Sequence, residues 1–171
     1  YPKEYFDLYL YGPIFAILMA PFSMLPDGPS VMLWNVLNSV VLFVTLWHLP
    51  IIENKRVAIA WIVLNSSITA LLNTQFHALC LALILWSYIC VENKKYFWAT
   101  LWIVLGIYIK LYGVVGLAFF FFAKDRLRFA SYVVFWLLVI GVVPVALGGF
   151  DYGIQSYRDW MGILAHKNEL N

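Results

Sequence analysis

KKYFWATLWIVLGIYIKLYGVVGLAFFFFAKDRLR, residues 94–128, decides how this chain folds. Two basic clusters, Lys94-Lys95 and Lys124, Arg126, Arg128, bracket an apolar stretch that a lone Lys110 interrupts, followed by Gly113 and Gly116. Drawn as one helix from Tyr96 to Ala123, the stretch would be about 42 Å long against a hydrocarbon core of about 30 Å. It would also put the two clusters on opposite sides of a membrane. Two helices of about 20 Å each, meeting at Lys110–Gly113, return the chain to the side it left. The hairpin is the preferred reading because of what lies on either side. Lys55 and Arg56 form a third basic cluster, whereas Pro26–Pro29 and Asn73–Gln75 carry no Lys or Arg. Basic clusters on every second loop follow the positive-inside pattern of a polytopic membrane protein.

Composition agrees. Hydrophobic residues make up 64% of the chain and charged ones 12%, against about half and a quarter in a soluble domain. A formal net charge of +2 argues against a nucleic-acid partner. Cys80 and Cys90 share one apolar run at a spacing that suits neither a metal nor a disulfide, so they read as packing residues. The chain starts without Met in a polar, aromatic stretch and stops in a polar tail, which suggests a fragment lacking both ends.

Six runs are expected to be helices: Val31–Leu49, Val57–Leu72, Phe76–Val91, Tyr96–Ile109, Leu111–Ala123 and Phe129–Leu147. Backbone polar groups in lipid must be satisfied within the segment. A seventh run, Tyr11–Pro26, is short and punctuated by Pro13, Pro21 and Pro26. It reads as a juxtamembrane helix in or re-entering the outer interface, where Tyr9, Tyr11 and Trp34 also belong. The expected fold is an all-α integral membrane bundle of about six transmembrane helices plus that short outer helix. It forms one domain: residues 1–30 end an outer loop, 31–147 span, and 148–171 are outer again. Gly148-Gly149 reads as a hinge and Asp151 as a cap. Tyr157, Trp160, Met161 and Leu164 fall on one face of an amphipathic interfacial helix.

Lys110 is the first candidate for chemistry. A lysine at membrane depth is costly and marks function, and its natural ligand is a lipid phosphate. The plainer alternative is a lysine snorkelling to the surface. Asn73, Gln75 and His77 lie on the same side and can hydrogen-bond sugar hydroxyls or a phosphate. Helix capping by Asn73 and Thr74, with His77 as a satisfied interface residue, is the reading the residues alone favour. Asn65, Thr69 and Asn73 share a helix face, as do Asn35 and Asn38, which reads as interhelical hydrogen bonding. Among the outer carboxylates (Glu4, Asp7, Asp27, Asp151, Asp159, Glu169), Asp7 is the best placed for a general base. No metal-ligand spacing, phosphate-binding glycine loop or Ser/His/Asp arrangement is legible.

Three stretches, Asp7–Asn38 (DLYLYGPIFAILMAPFSMLPDGPSVMLWNVLN), Asn73–Leu85 (NTQFHALCLALIL) and Ala99–Val115 (ATLWIVLGIYIKLYGVV), resemble glycosyltransferase family 87, the polyprenol-phosphate-dependent mannosyltransferase-like proteins. The resemblance implies a GT-C fold in the bacterial cytoplasmic membrane with its active face outside. It implies transfer of a mannose-like hexose from a polyprenyl-phosphate donor to a glycolipid or glycan acceptor. No cofactor beyond that donor and no metal are implied. Lys110 would contact the carrier phosphate, and Asn73, Gln75, His77 and Tyr11 would line the same substrate cavity. The family's aspartate-bearing loop start would lie before Tyr1, so the true base is expected upstream and Asp7 is its stand-in here. Two other classes remain open: a transporter or flippase of lipid-linked sugars, since broken helices are also a transporter feature, and a structural membrane subunit anchored by Lys110.

Overall fold

The computed structural model describes residues 10–169. They form seven α-helices and one 3-10 helix, with no strand among the described residues: α1 (Pro13–Ser23), α2 (Asp27–Trp47), α3 (Glu53–Leu72), α4 (His77–Glu92), α5 (Tyr96–Ile109), the 3-10 helix η1 (Leu111–Phe121), α6 (Arg126–Gly148) and α7 (Phe150–Glu169). Each apolar run of the sequence has become a helix. α2, α3 and α6 are long and apolar enough to cross a membrane. Their surfaces carry large exposed apolar side chains such as Met32, Trp61, Ile62 and Leu138, as lipid-facing helices do. The chain is an all-α membrane protein. Fewer helices are of full spanning length than the six expected, because α4, α5 and η1 are shorter.

Local chemistry explains the boundaries. Pro13 opens α1 at its first turn, where a missing N–H costs nothing. Asp125 caps α6 by accepting from Arg128 N at 3.1 Å and pairs with the Arg128 guanidinium at 3.4 Å. α3 and α4 end alike. Gln75 N donates to Ala70 O (2.8 Å) and Thr74 N to Leu71 O (3.1 Å). After α4, Lys95 N donates to Cys90 O and Lys94 N to Val91 O. These are Schellman closures, with Thr74 (φ 52°) and Lys94 (φ 57°) in the left-handed position that glycine usually takes.

The hairpin at Lys110 is present. Gly113 packs on the backbone of Gly106 and Ile107, and Gly116 on Ile103, so α5 and η1 run antiparallel. Lys124 N donates to Tyr96 Oη at 3.0 Å and closes the open end. The second arm was expected as an α-helix and is a 3-10 helix instead. Eleven residues at about 2.0 Å rise span about 22 Å, matching the roughly 21 Å of the fourteen-residue α5. At three residues per turn, Gly113, Gly116 and Phe119 align in one row. The two glycines are buried while Val114, Val115 and Phe121 are exposed. An α-helical period would carry that row off the interface.

Side-chain contacts orient the bundle. Asn38 meets Leu79 and His48 meets Trp86, so α2 and α4 run parallel. Tyr96 packs on Phe129 and Tyr108 Oη donates to Leu137 O, so α5 and α6 also run parallel. The turns carrying Lys55-Arg56, Lys94-Lys95 and Lys124–Arg128 therefore gather at one end. Lys110 lies at the other, beside the α3–α4 turn, α1 and α7. Cys80 and Cys90 are free thiols in the core, as packing residues.

Two expectations for polar and amphipathic faces need correcting. Thr69 Oγ1 donates to Asn65 O and Asn73 Nδ2 to Thr69 O. Among the described residues this stripe bonds within α3 rather than to a second helix, since the i−4 carbonyl is always within reach of a short polar side chain. Asn38 does bridge helices as expected, accepting from Leu79 N of α4. On α7, Trp160 is buried but Met161 is 58% exposed. The inward row is Gly153, Tyr157, Trp160 and Leu164, set by Gly153 pressing on Val145.

Candidate functional site

The site is built where four chain segments meet. Lys110 is the corner residue between α5 and η1, with extended backbone (φ −153°, ψ 128°). Gly12 N donates to Ile109 O at 2.9 Å, bringing the entry to α1 against that corner. A Cβ at Gly12 would stand 2.1 Å from Tyr108 O, so only glycine permits the approach. α1 is then held by an aromatic cluster. Tyr11 stacks on Phe15 at 4.3 Å, Phe15 meets Phe76 edge-on at 5.6 Å and Trp34 at 5.9 Å, and Phe22 meets Trp34 at 5.6 Å. Phe76 is 1% and Trp34 5% exposed. Such aromatic contacts add about 0.5–1.5 kcal/mol each beyond area burial.

α4 begins in the middle of this cluster, and other helices cap it. Tyr11 Oη accepts from Phe76 N at 3.3 Å, and Asn38 Oδ1 accepts from Leu79 N at 3.2 Å. Asn38 is fully buried; its amide donates to Trp34 O at 2.9 Å. Both bonds satisfy orphan donors of a helix N-terminus. The positive end of the α4 dipole therefore points at the place where His77, its first residue, meets Lys110.

Lys110 Nζ donates to His77 Nε2 at 3.2 Å. An ammonium has no acceptor to offer, so Nε2 must be bare and the imidazole neutral with its proton on Nδ1. Nδ1–H then donates to Gln75 Oε1 at 2.7 Å. The lysine ammonium also sits 5.0 Å from the ring centre of Tyr11 and 5.1 Å from that of Tyr112, both within cation–π range. Tyr112 in turn stacks on His77 at 6.1 Å. The arrangement is a half-buried cation held by two phenol faces and one imidazole.

Four of the expected residues are thus brought together: Lys110, His77, Gln75 and Tyr11. Gln75 acts through His77. Asn73 stands apart: exposed, it closes α3 with its own amide. Asp7 lies outside the described residues. Sequence reading missed Tyr112 and Asn38 as members. The signal for Tyr112 was its place two residues after Lys110 at the helix corner. Asn38 gave no signal that it would cap a helix forty residues away.

α7 completes the surroundings. Trp160 Nε1 donates to Leu10 O at 3.2 Å, and its ring lies 3.2 Å from where a Gly12 Cβ would be. Tyr157 Oη donates to Gly141 O at 3.0 Å. Burial, with the Tyr108 phenol beside it, pushes the Tyr157 hydroxyl up to about 12, so it remains a donor at any working pH.

No curated protein and no solved structure matches this chain. The family model of glycosyltransferase family 87 matches residues 9–170, a range that contains every described helix and the described residues of the Lys110 site. The chain belongs to glycosyltransferase family 87, a family of membrane glycosyltransferases.

Proposed function

We propose that this chain transfers a mannose-like hexose from a polyprenyl-phosphate donor to a glycolipid or glycan acceptor, on the outer face of a bacterial cytoplasmic membrane. The observation that carries the reading is the Lys110 ammonium, held by Tyr11, Tyr112 and His77 at the end of the bundle opposite the basic turns. A phosphate beside it would add a charge-assisted hydrogen bond and face the positive end of α4. The apolar surfaces of the flanking helices suit the carrier's hydrocarbon chain.

In the reaction the acceptor hydroxyl oxygen bonds to the anomeric carbon, and the bond from that carbon to the phosphate oxygen breaks. The electron pair leaves with the polyprenyl phosphate, the acceptor proton goes to a carboxylate, and the anomeric centre inverts. Lys110 stabilises charge where it grows, on the departing phosphate. Neutral His77 fixes the direction of the ammonium, and Gln75 fixes the tautomer of His77. The proton-accepting carboxylate is not assigned among residues 10–169. Asp7 is the candidate within the chain.

The test is transfer of radiolabelled mannose from polyprenyl-phosphate mannose in membranes containing the full-length protein. Lys110→Gln is expected to lower turnover by about 10²–10³, the cost of removing one donor to a developing oxyanion. Turnover within threefold of the parent, at equal protein level, overturns the phosphate role. Movement of the labelled lipid across proteoliposomes without transfer favours a flippase instead.

A further inference from the structure

The turn that joins α2 to α3 lies at the basic end, remote from the Lys110 site. Beside it, between the two helices, is a cavity of about 390 Å³. Phe43 and Leu46 of α2 and Ala60 and Leu64 of α3 line it, with Trp47 and Arg56 at its basic end. Both helices are long enough to span. The side chains around the opening are exposed, Phe43 by 64%, Trp47 by 61% and Trp61 by 70%. The opening therefore faces hydrocarbon, and it reaches the level at which tryptophans mark the membrane interface.

The chemistry at the basic end is cationic and incompletely satisfied. Arg56 Nη2 donates to Leu49 O at 3.1 Å and Ile51 O at 3.2 Å, and the guanidinium lies over the Trp47 ring at 5.9 Å. Its Nε is buried with no hydrogen-bond partner among the described residues. α3 begins at this point with no side-chain cap on its N-terminus, which adds a partial positive charge. Lys55 is adjacent and exposed. Glu53, on the same rim, offsets one of the two cations and leaves the turn net positive. A packed helix or a neutral hydrocarbon would fill the groove but leave these donors unanswered. An occupant with a hydrocarbon chain and an anionic head answers both features.

We propose that the α2–α3 groove is a binding site for an anionic phospholipid of the leaflet on the basic side. One acyl chain lies along Ala60 and Leu64, and the phosphate is held by Arg56 and Lys55. The site is separate from the glycosyl-transfer reading and does not depend on it. Basic pockets between membrane helices recognise acidic headgroups in this way.

Native mass spectrometry of the full-length protein, purified in detergent and offered equal amounts of phosphatidylglycerol and phosphatidylcholine of matched chains, tests this. The parent is expected to retain phosphatidylglycerol in preference. Each cation removed, by Arg56→Gln or Lys55→Gln, is expected to lower that preference about fivefold. Ala60→Phe fills the groove while keeping both cations, and is expected to lose the bound lipid. Lys95→Gln, at a different basic turn, is expected to leave the preference unchanged. Lys55→Gln removes an exposed side chain and serves if Arg56→Gln fails to fold. Equal retention of the two lipids by the parent, or an undiminished phosphatidylglycerol adduct in Lys55→Gln or in Ala60→Phe, overturns the proposal.

Discussion

Gly113→Ala tests whether the corner at Lys110 depends on backbone contact between α5 and η1. A Cβ at position 113 would stand 2.3 Å from Ile107 N and 2.4 Å from Gly106 C. Neither atom can turn aside, since both belong to the backbone of α5. To reach ordinary contact, η1 must back away by about 1 Å, which in a close-packed interior costs about 1–3 kcal/mol. Lys110 begins the same row, one 3-10 turn before Gly113, so its ammonium shifts with the arm. A displacement of about 1 Å at a reacting centre can cost about 100-fold in rate. Gly116→Ala is the control. Its Cβ would meet the Ile103 side chain at 2.8 Å, and a side chain can give where backbone cannot. Cys80 and Cys90 are buried free thiols, so a maleimide dye that fluoresces on thiol reaction reports unfolding in a thermal ramp. Gly113→Ala is expected to melt well below the parent and to lose about 100-fold in transfer rate; Gly116→Ala is expected to lie between them. A Gly113→Ala protein with the parent's melting profile and the parent's rate refutes the packing argument, and with it the claim that η1 positions Lys110.

Other expectations follow from single contacts. Thr74→Gly relieves a β-branched residue held at φ 52° and is expected to raise stability by about 1 kcal/mol in the same melt; a lower melting temperature would show that glycine's unfolded-state freedom outweighs the relief. Asn38→Leu leaves Leu79 N without its 3.2 Å acceptor and is expected to cost about 1–3 kcal/mol; no change in melting would show that the cap is dispensable. A cysteine at position 112, where Tyr112 is 54% exposed, is expected to react with a membrane-impermeant maleimide only from the side opposite a cysteine at exposed position 93. Labelling of both from one side would break the topology. Above pH 10 the ordinary tyrosine of the unfolded chain ionises while Tyr157, pushed up to about 12, stays neutral. The folded state then holds the extra proton, so stability falls as pH rises from about 10 to 12. Tyr157→Phe is expected to flatten that fall, read by the same dye after transfer to neutral pH.

Residue types and their spacing carry the membrane character, the positions of the helices and the return of the chain at Lys110. Each rests on rules that act over a few residues or on one charge count per loop: hydrophobic length, basic clusters and helix-breaking prolines. The period-three row from Gly113 to Phe119 was also written in the sequence, but a 3-10 helix of this length is rare enough that an α-helix was the natural expectation. The candidate site is different. Lys110 was legible alone, because a lysine in an apolar run is costly wherever it sits. Its neighbours Gln75, His77 and Tyr11 were joined to it only through the family resemblance, and Tyr112 and Asn38 not at all. Tyr11 and Phe76 are distant in sequence and meet only because the aromatic cluster seats α1 over the start of α4. His77 could as well have been a surface residue until the hairpin brought Lys110 to its ring. Asn73, adjacent in sequence to the members of the site, was left outside by the left-handed turn at Thr74, which ends α3 before the chain reaches the cluster. Local patterns dictate which segments form helices. Which side chains share one cation depends on how those helices pack, and packing is a sum of contacts between residues that no local pattern links.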